Sequence, residues 1–146
     1  MNATLTVKAT STIYVMDMNN NRVEEFNSSG CLSERVRCLR VQGGRFLPAV
    51  PAVDGIGDIW VADEGNQRDV KFNNSGAFVL LLGGGRGNVA RQFNNPWGTA
   101  LDSNSNVWVT NTGNGRVEEF SNAYIFLANF LARRVRATRV QPWRVR

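Results

Sequence analysis

The chain has 146 residues, 42% hydrophobic and 20% charged, which are the proportions of one soluble domain, since a single core commonly spans about 100 to 200 residues. No apolar run reaches the roughly 18 residues of a membrane-spanning helix. With no histidine anywhere, the chain lacks the commonest general base, the usual metal ligand and the near-neutral proton switch, so an enzyme is not expected.

The first ten residues, MNATLTVKAT, hold neither the basic start nor the apolar run of a secretion signal. A cytoplasmic, reducing compartment is therefore expected, with Cys31 and Cys38 as free thiols; a disulfide between them is the lesser alternative. The formal charge of +5 is unevenly spread. Arg35, Arg37, Arg40 and Arg45 stand against Glu34 alone, and the tail 133–146 holds six arginines and no acid. Clustered guanidiniums grip phosphate and displace its counterions. Arg35, Arg37, Arg40, Arg133, Arg134, Arg136 and Arg139 are thus candidate nucleic-acid contacts, with a solvated edge as the plainer reading.

In chain order, a short strand ends at Val7-Lys8, and Ile13-Tyr14-Val15-Met16 makes a second from β-branched and aromatic residues. Asp17 and Asn19, Asn20 and Asn21 predict a tight turn: Asn tolerates positive φ, and a preceding Asp can bond back to the turn amides. Val23 to Phe26 returns as the other arm of a hairpin, and Asn27-Ser28-Ser29-Gly30 turns the chain again. The same order recurs from Val53-Asp54 through Ile59 to Ala62, Asp63, Gly65-Asn66, Val70 to Phe72 and Asn73 to Gly76, with a further strand over Ala77 to Leu82. It recurs once more from Leu101-Asp102 through Val107 to Thr110, Asn111, Gly113-Asn114-Gly115 and Val117 to Phe120, with a last strand over Tyr124 to Phe130.

The hairpin blocks starting at Ile13, Ile59 and Val107 align without gaps at spacings of 46 and 48 residues. Four short strands in a repeat of about 47 residues, with no helical periodicity, correspond to a four-stranded propeller blade. The central strand of each block is apolar on both faces, as a strand packed between two layers would be. The expected fold is all-β: about three blades of four antiparallel strands, in units of about 1–46, 47–94 and 95–141, with a basic tail over 133–146.

The residues that repeat resemble the NHL-repeat family. Pro96-Trp97-Gly98-Thr99-Ala100-Leu101-Asp102, then Asn106-Val107-Trp108-Val109-Thr110-Asn111, then Asn114-x-Arg116-Val117-x-x-Phe120 follow its pattern nearly throughout. Three places depart from it: Asn111 stands for an Asp, Asp69 intervenes between Arg68 and Val70, and Tyr124 stands where the other units have Gly30 and Gly76. The resemblance implies a six-bladed propeller that acts as a non-catalytic binding scaffold. It also leaves open RNA binding through the arginine strips and, more weakly, a lyase relative that lacks its metal ligands. Both strips read Arg-Val-Arg-x-x-Arg-Val-Gln where the family is Gly/Ser-rich, so they are either binding elements or the product of a shifted reading frame.

No catalytic constellation, cofactor motif or metal site emerges. Asp102-x-Asn104-x-Asn106 opens like a calcium loop, but Val107 and Gly113 occupy the places that need Gly and Glu. Gly83-Gly84-Gly85-Arg86-Gly87 lacks the Gly-Lys-Ser/Thr ending of a phosphate cradle and reads as a flexible connection between blades. Tyr14, Trp60 and Trp108 share one repeat position and are expected between blades. Arg22, Arg68 and Arg116 recur once per unit, either bonding carbonyls and carboxylates of a neighbouring blade or lining one propeller face. Trp97, expected near the rim, is with them a candidate partner contact. Three blades cannot close a ring of about 4 to 8, so the chain is expected to be either a fragment of a longer propeller or half of a pair in which a second copy completes six blades; the expected partners are other proteins or that second copy. No membrane partner is expected.

Overall fold

The computed structural model describes residues 3–7, 12–27, 29, 31 and 48–131. Its described strands are β1 (Ala3–Val7), β2 (Ile13–Asp17), β3 (Arg22–Phe26), β4 (Pro48–Val53), β5 (Ile59–Asp63), β6 (Arg68–Phe72), β7 (Phe78–Leu82), β8 (Pro96–Leu101), β9 (Val107–Asn111), β10 (Arg116–Phe120) and β11 (Phe126–Leu131). Strands β1 to β3 form one antiparallel sheet, and the other eight run in the order β11-β10-β9-β8-β4-β5-β6-β7. That second sheet is two four-stranded meanders, joined where Val50 of β4 pairs in parallel with Gly98 of β8. The first strand of each meander therefore lies at the converging edge and the last at the outer edge, as in propeller blades. The expected four-stranded blade is complete in the second and third units, and three strands of the first are described.

Each β2–β3 type hairpin turns through a one-turn 3-10 segment, 18–20, 64–66 or 112–114, closed by a left-handed residue: Asn21 (φ 54), Gln67 (φ 57) or Gly115 (φ 60). Asn and Gly were expected there; Gln67 was not. A left-handed L-residue costs roughly 1–2 kcal/mol. The Gln67 side chain offsets this by donating to the Glu64 carbonyl at 2.5 Å and accepting from the Asn95 amide at 2.7 Å.

The fourth strands of the blades begin at Phe78 and Phe126, later than the expected Ala77 and Tyr124, because turns hold the preceding residues. Asn73 Oδ1 accepts the Ala77 amide at 2.8 Å, and the Tyr124 amide donates to the Ser121 carbonyl at 2.7 Å.

Two apolar clusters hold the blades face to face. Tyr14, Met16 and Val23 of the first blade pack with Ile59, Val61, Val70 and Phe72 of the second. Trp60 and Leu82 of the second pack with Phe93 and with Val107, Val109 and Phe120 of the third. Each such side chain contributes roughly 1.5–3 kcal/mol on full burial. Strand β5, covered on both faces, is buried at all five positions, whereas β2 alternates and β9 keeps two of its five residues partly or fully exposed. The expectation of two buried faces thus holds in the middle blade only, since each end blade has one neighbour among the described residues.

Tyr14 and Trp60 lie between blades as expected. Trp108 occupies the same repeat position on the far face of the third blade and stays part-exposed, stacked on Phe130 at 5.4 Å.

Candidate functional site

The hairpin turns and the connection between the second and third blades meet at one end of the sheets, and the recurring arginines stand there. Arg116 is held from four sides. Its Nε donates to Glu118 Oε1 at 2.9 Å, and its two terminal nitrogens donate to the carbonyls of Asn88 (2.5 Å), Val89 (2.7 Å) and Gln92 (3.1 Å). Glu118, fully buried, accepts the Arg91 amide at 2.9 Å on its other oxygen. Asn111, also fully buried, accepts the Asn94 amide at 2.8 Å and donates to Gln92 O and Glu118 Oε1.

This network pins the segment that leaves β7 and enters β8, so the expected flexible connection is instead ordered. Its own backbone adds bonds: the Gly84 amide donates to Arg91 O at 2.5 Å, the Phe93 amide to Gly85 O at 3.2 Å and the Gly87 amide to Phe93 O at 3.1 Å. The Gly84 and Gly87 amides, which a phosphate cradle would present, are thus already engaged.

The other two arginines do related work. Arg68 Nε bonds the buried Asp63 at 2.9 Å. Arg22 bonds Asp17 at 3.1 Å and Glu24 at 2.5 Å, at 36% side-chain exposure. The Asn20 side-chain amide, together with Arg22, holds the Asp17 carboxyl below its usual pKa. Asp17 also accepts the Asn20 backbone amide at 3.3 Å, as the turn chemistry predicted. Asp63 and Asn111 do not cap their turns this way and use their side chains on Arg68 and on the Gln92–Glu118 pair instead.

Trp97 is 47% exposed. It lies on β8, the innermost strand of its blade, between a bulge at Pro96 and the Val50–Gly98 junction. This corrects the expectation of a rim position: the segment that opens a unit runs along the converging edge, because the unit's remaining strands stack outward from it.

At the opposite end, Lys71 joins the second blade to the third. Its Nζ meets Asp58 at 2.9 Å, Asp54 at 3.5 Å and the Tyr124 hydroxyl at 3.3 Å, over the rings of Trp60 and Tyr124. Burial acts to lower the Lys71 pKa, and Asp58 and Tyr124 outweigh it and hold the ammonium above its usual value. Tyr124 takes φ 64, so it adopts the left-handed conformation that a Gly would accept freely. In exchange its ring lies 5.6 Å from Trp60.

Asp69, the residue that interrupts the family pattern, is fully buried and accepts the Thr99 hydroxyl of the third blade at 2.9 Å. Desolvation pushes its pKa up to about 7, against the bonds from Thr99 and the Val70 amide, with nearby Asp63 adding to the rise. Nothing in the composition marked this carboxyl as special; its only signal was Asp69 at a position that is Val23 and Val117 in the other two copies.

The calcium-like Asp102 loop is a turn in which the carboxylate accepts the amides of Asn104 (2.8 Å) and Asn106 (2.9 Å) and the Trp108 Nε1 proton (3.3 Å). Burial acts to raise the Asp102 pKa, and those donors hold it below the usual value. Among the described residues no group of three or more His, Cys, Asp or Glu could hold a metal ion. No helix among them is long and apolar enough to cross a membrane. Cys31 is an exposed free thiol. Cys38, Arg35, Arg37, Arg40, Arg45, Arg133, Arg134, Arg136 and Arg139 lie outside the described residues.

Blades stacked about a converging edge, with an Asn-x-Arg hairpin repeated in register, define the class of fold: β-propeller blades. Residues 93–120, from the end of the connection through β10, match the family model described as the NHL repeat. Among solved structures, a streptogramin B lyase is similar at a TM-score of 0.68 and 15% identity, over 88% of this chain and 40% of that one. A virginiamycin B lyase from Staphylococcus aureus is similar at 0.64 and 14%, over 87% and 40%. A chain of a nidogen–laminin complex is similar at 0.63 and 18%, over 83% and 43%. This chain thus spans about two fifths of the length of the propellers it matches, and at these identities the likeness concerns the fold. No curated protein sequence matches the chain.

Proposed function

We propose that the chain is a non-catalytic propeller scaffold that binds a protein partner, with Trp97 as its contact. The observation that carries this reading is the division of labour among the four candidate contacts. Arg22, Arg68 and Arg116 are bonded to carboxylates, and Arg116 also to backbone carbonyls, of their own or the preceding segment. Trp97, in contrast, is a half-exposed aromatic on an inner strand. Partly exposed Trp side chains on a rigid strand are the residue type most enriched among energetic centres of protein interfaces. A protein-bound propeller among the similar structures, the nidogen–laminin complex, supports this class of partner.

The test compares the parent chain with Trp97→Ala in parallel affinity capture with quantitative mass spectrometry, and titrates both with a single-stranded RNA homopolymer across a salt series. The reading expects partners retained by the parent and lost with Trp97→Ala at unchanged folding. Identical captured sets would overturn it. RNA binding that is indifferent to Trp97→Ala and falls steeply with salt would move the function to the arginine strips.

A further inference from the structure

We propose that the loop 86–91, which crosses the end of the third blade, is a docking element for an acidic segment of a partner protein. The inference rests on reading the chain as a protein-binding scaffold, but on residues other than Trp97. It starts from the direction in which the loop's groups point. Side chains of the third blade take its backbone one group after another. Asn114 donates to Gly87 O at 2.7 Å, Arg116 donates to the carbonyls of Asn88 and Val89, and Glu118 accepts the Arg91 amide. Asn111 and Arg116 both donate to Gln92 O, which closes the loop. The backbone is therefore turned towards the blade and the side chains away from it. Arg86, Asn88, Val89, Ala90 and Arg91 are all exposed, Val89 at 65%.

The polar groups beneath the loop secure no burial of those side chains in return. Arg116 and Glu118 give up water to form their pair, and a buried ion pair adds little stability over packed apolar side chains of similar volume. Arg91 in addition takes φ 66, a left-handed conformation that an L-residue keeps only where its surroundings impose it. What the network achieves is a fixed backbone beneath an exposed array, so the cost of ordering the loop is met on folding and not again on binding.

The array has a definite chemistry. Among the described residues no carboxylate pairs with Arg86 or Arg91, while Asp63 is engaged with Arg68 and Glu118 with Arg116. The two guanidiniums flank the exposed apolar Val89 in sequence. Guanidiniums bind carboxylates in bidentate fashion, and Val89 offers an apolar contact between them. A peptide with carboxylates on either side of an apolar residue uses all three groups, whereas a nucleic-acid backbone uses the cations alone.

Fluorescence anisotropy on the whole chain tests this with three labelled probes: an acidic peptide of repeated Glu-Leu units, a basic peptide of repeated Lys-Leu units and a single-stranded RNA homopolymer. The acidic peptide is expected to bind in preference to the basic one. Arg86→Gln combined with Arg91→Gln is expected to weaken that binding by at least about 10-fold. The melting temperature is expected to stay unchanged, since neither side chain makes a bond among the described residues. No preference for the acidic peptide, or binding that survives the double substitution, overturns the loop proposal. RNA binding that the double substitution abolishes, with peptide binding absent, would assign the loop to phosphate and also overturn it. Failure of the scaffold reading shows separately, as captured partner sets that Trp97→Ala leaves identical.

Discussion

Asp69 shows what a single residue does when it breaks a repeat. Val23 and Val117 fill the equivalent apolar position, whereas Asp69 buries a carboxyl that must either hold a proton or stay charged without water. Its pKa moves from 3.8 when unfolded to about 7 when folded. The folded chain therefore holds this proton more tightly. Stability is full below the unfolded value, is lost as pH rises between the two values, and is lowest above about 7. Asp69→Val removes that dependence while leaving the Thr99 hydroxyl without its acceptor. Urea unfolding at about pH 3 and about pH 8 is expected to show the variant gaining on the parent by on the order of 4 kcal/mol between the two. Equal gains at both would remove Asp69 as the cause. Arg116 and Arg22 make the companion point. One side chain type at one repeat position is deeply bonded in the third blade and part-exposed in the first, because only the third has a preceding segment to grip among the described residues.

At the scale of the element, two glycines separate steric contact from backbone preference. Gly83 has φ +104, and a Cβ there would meet the buried Phe93 ring at 2.8 Å. Gly115 has φ +60 with open space where a Cβ would stand. Gly115→Ala is expected to cost about 1 kcal/mol, the left-handed penalty alone. Gly83→Ala adds a clash in a packed core and is expected to cost about 2–4 kcal/mol. Thermal melts of the two variants check the order, and a larger loss at Gly115 would contradict it. The same logic explains Tyr124. The repeat offered a Gly position, and this chain fills it with an aromatic whose contacts to Trp60 and Lys71 offset the strain of φ 64.

For the whole molecule, burial is set by neighbours as much as by sequence. Strands β2, β5 and β9 have similar apolar text, yet only β5 is covered on both faces. Local opening is cheapest where fewest apolar contacts must be broken. Amide hydrogen exchange of the chain is therefore expected to be slowest in β5 and β6 and faster in β2 and β3, and uniform protection across the blades would contradict it.

The period of about 47 residues, the hairpins and the interblade position of Tyr14 and Trp60 were legible in the text, because strand alternation and turn chemistry are local and repeat in register. Asn21 and Gly115 could be anticipated for the same reason. Gln67 could not, because its left-handed conformation is stabilised by Asn95, far away in the chain. The candidate site was legible only in part. Arg116 and Trp97 were picked out by recurrence and by residue type. The axial placement of Trp97 follows from the pairing of β4 with β8, and the closed bonding of Arg116 follows from a connection that folds back over its own hairpin. Asp69 became significant only when packing brought Thr99 against it and removed its water. Repetition along the chain specifies what each blade is made of. Which side chains are buried, charged or left open depends on which blade lies next to which, a property of contacts distant in sequence.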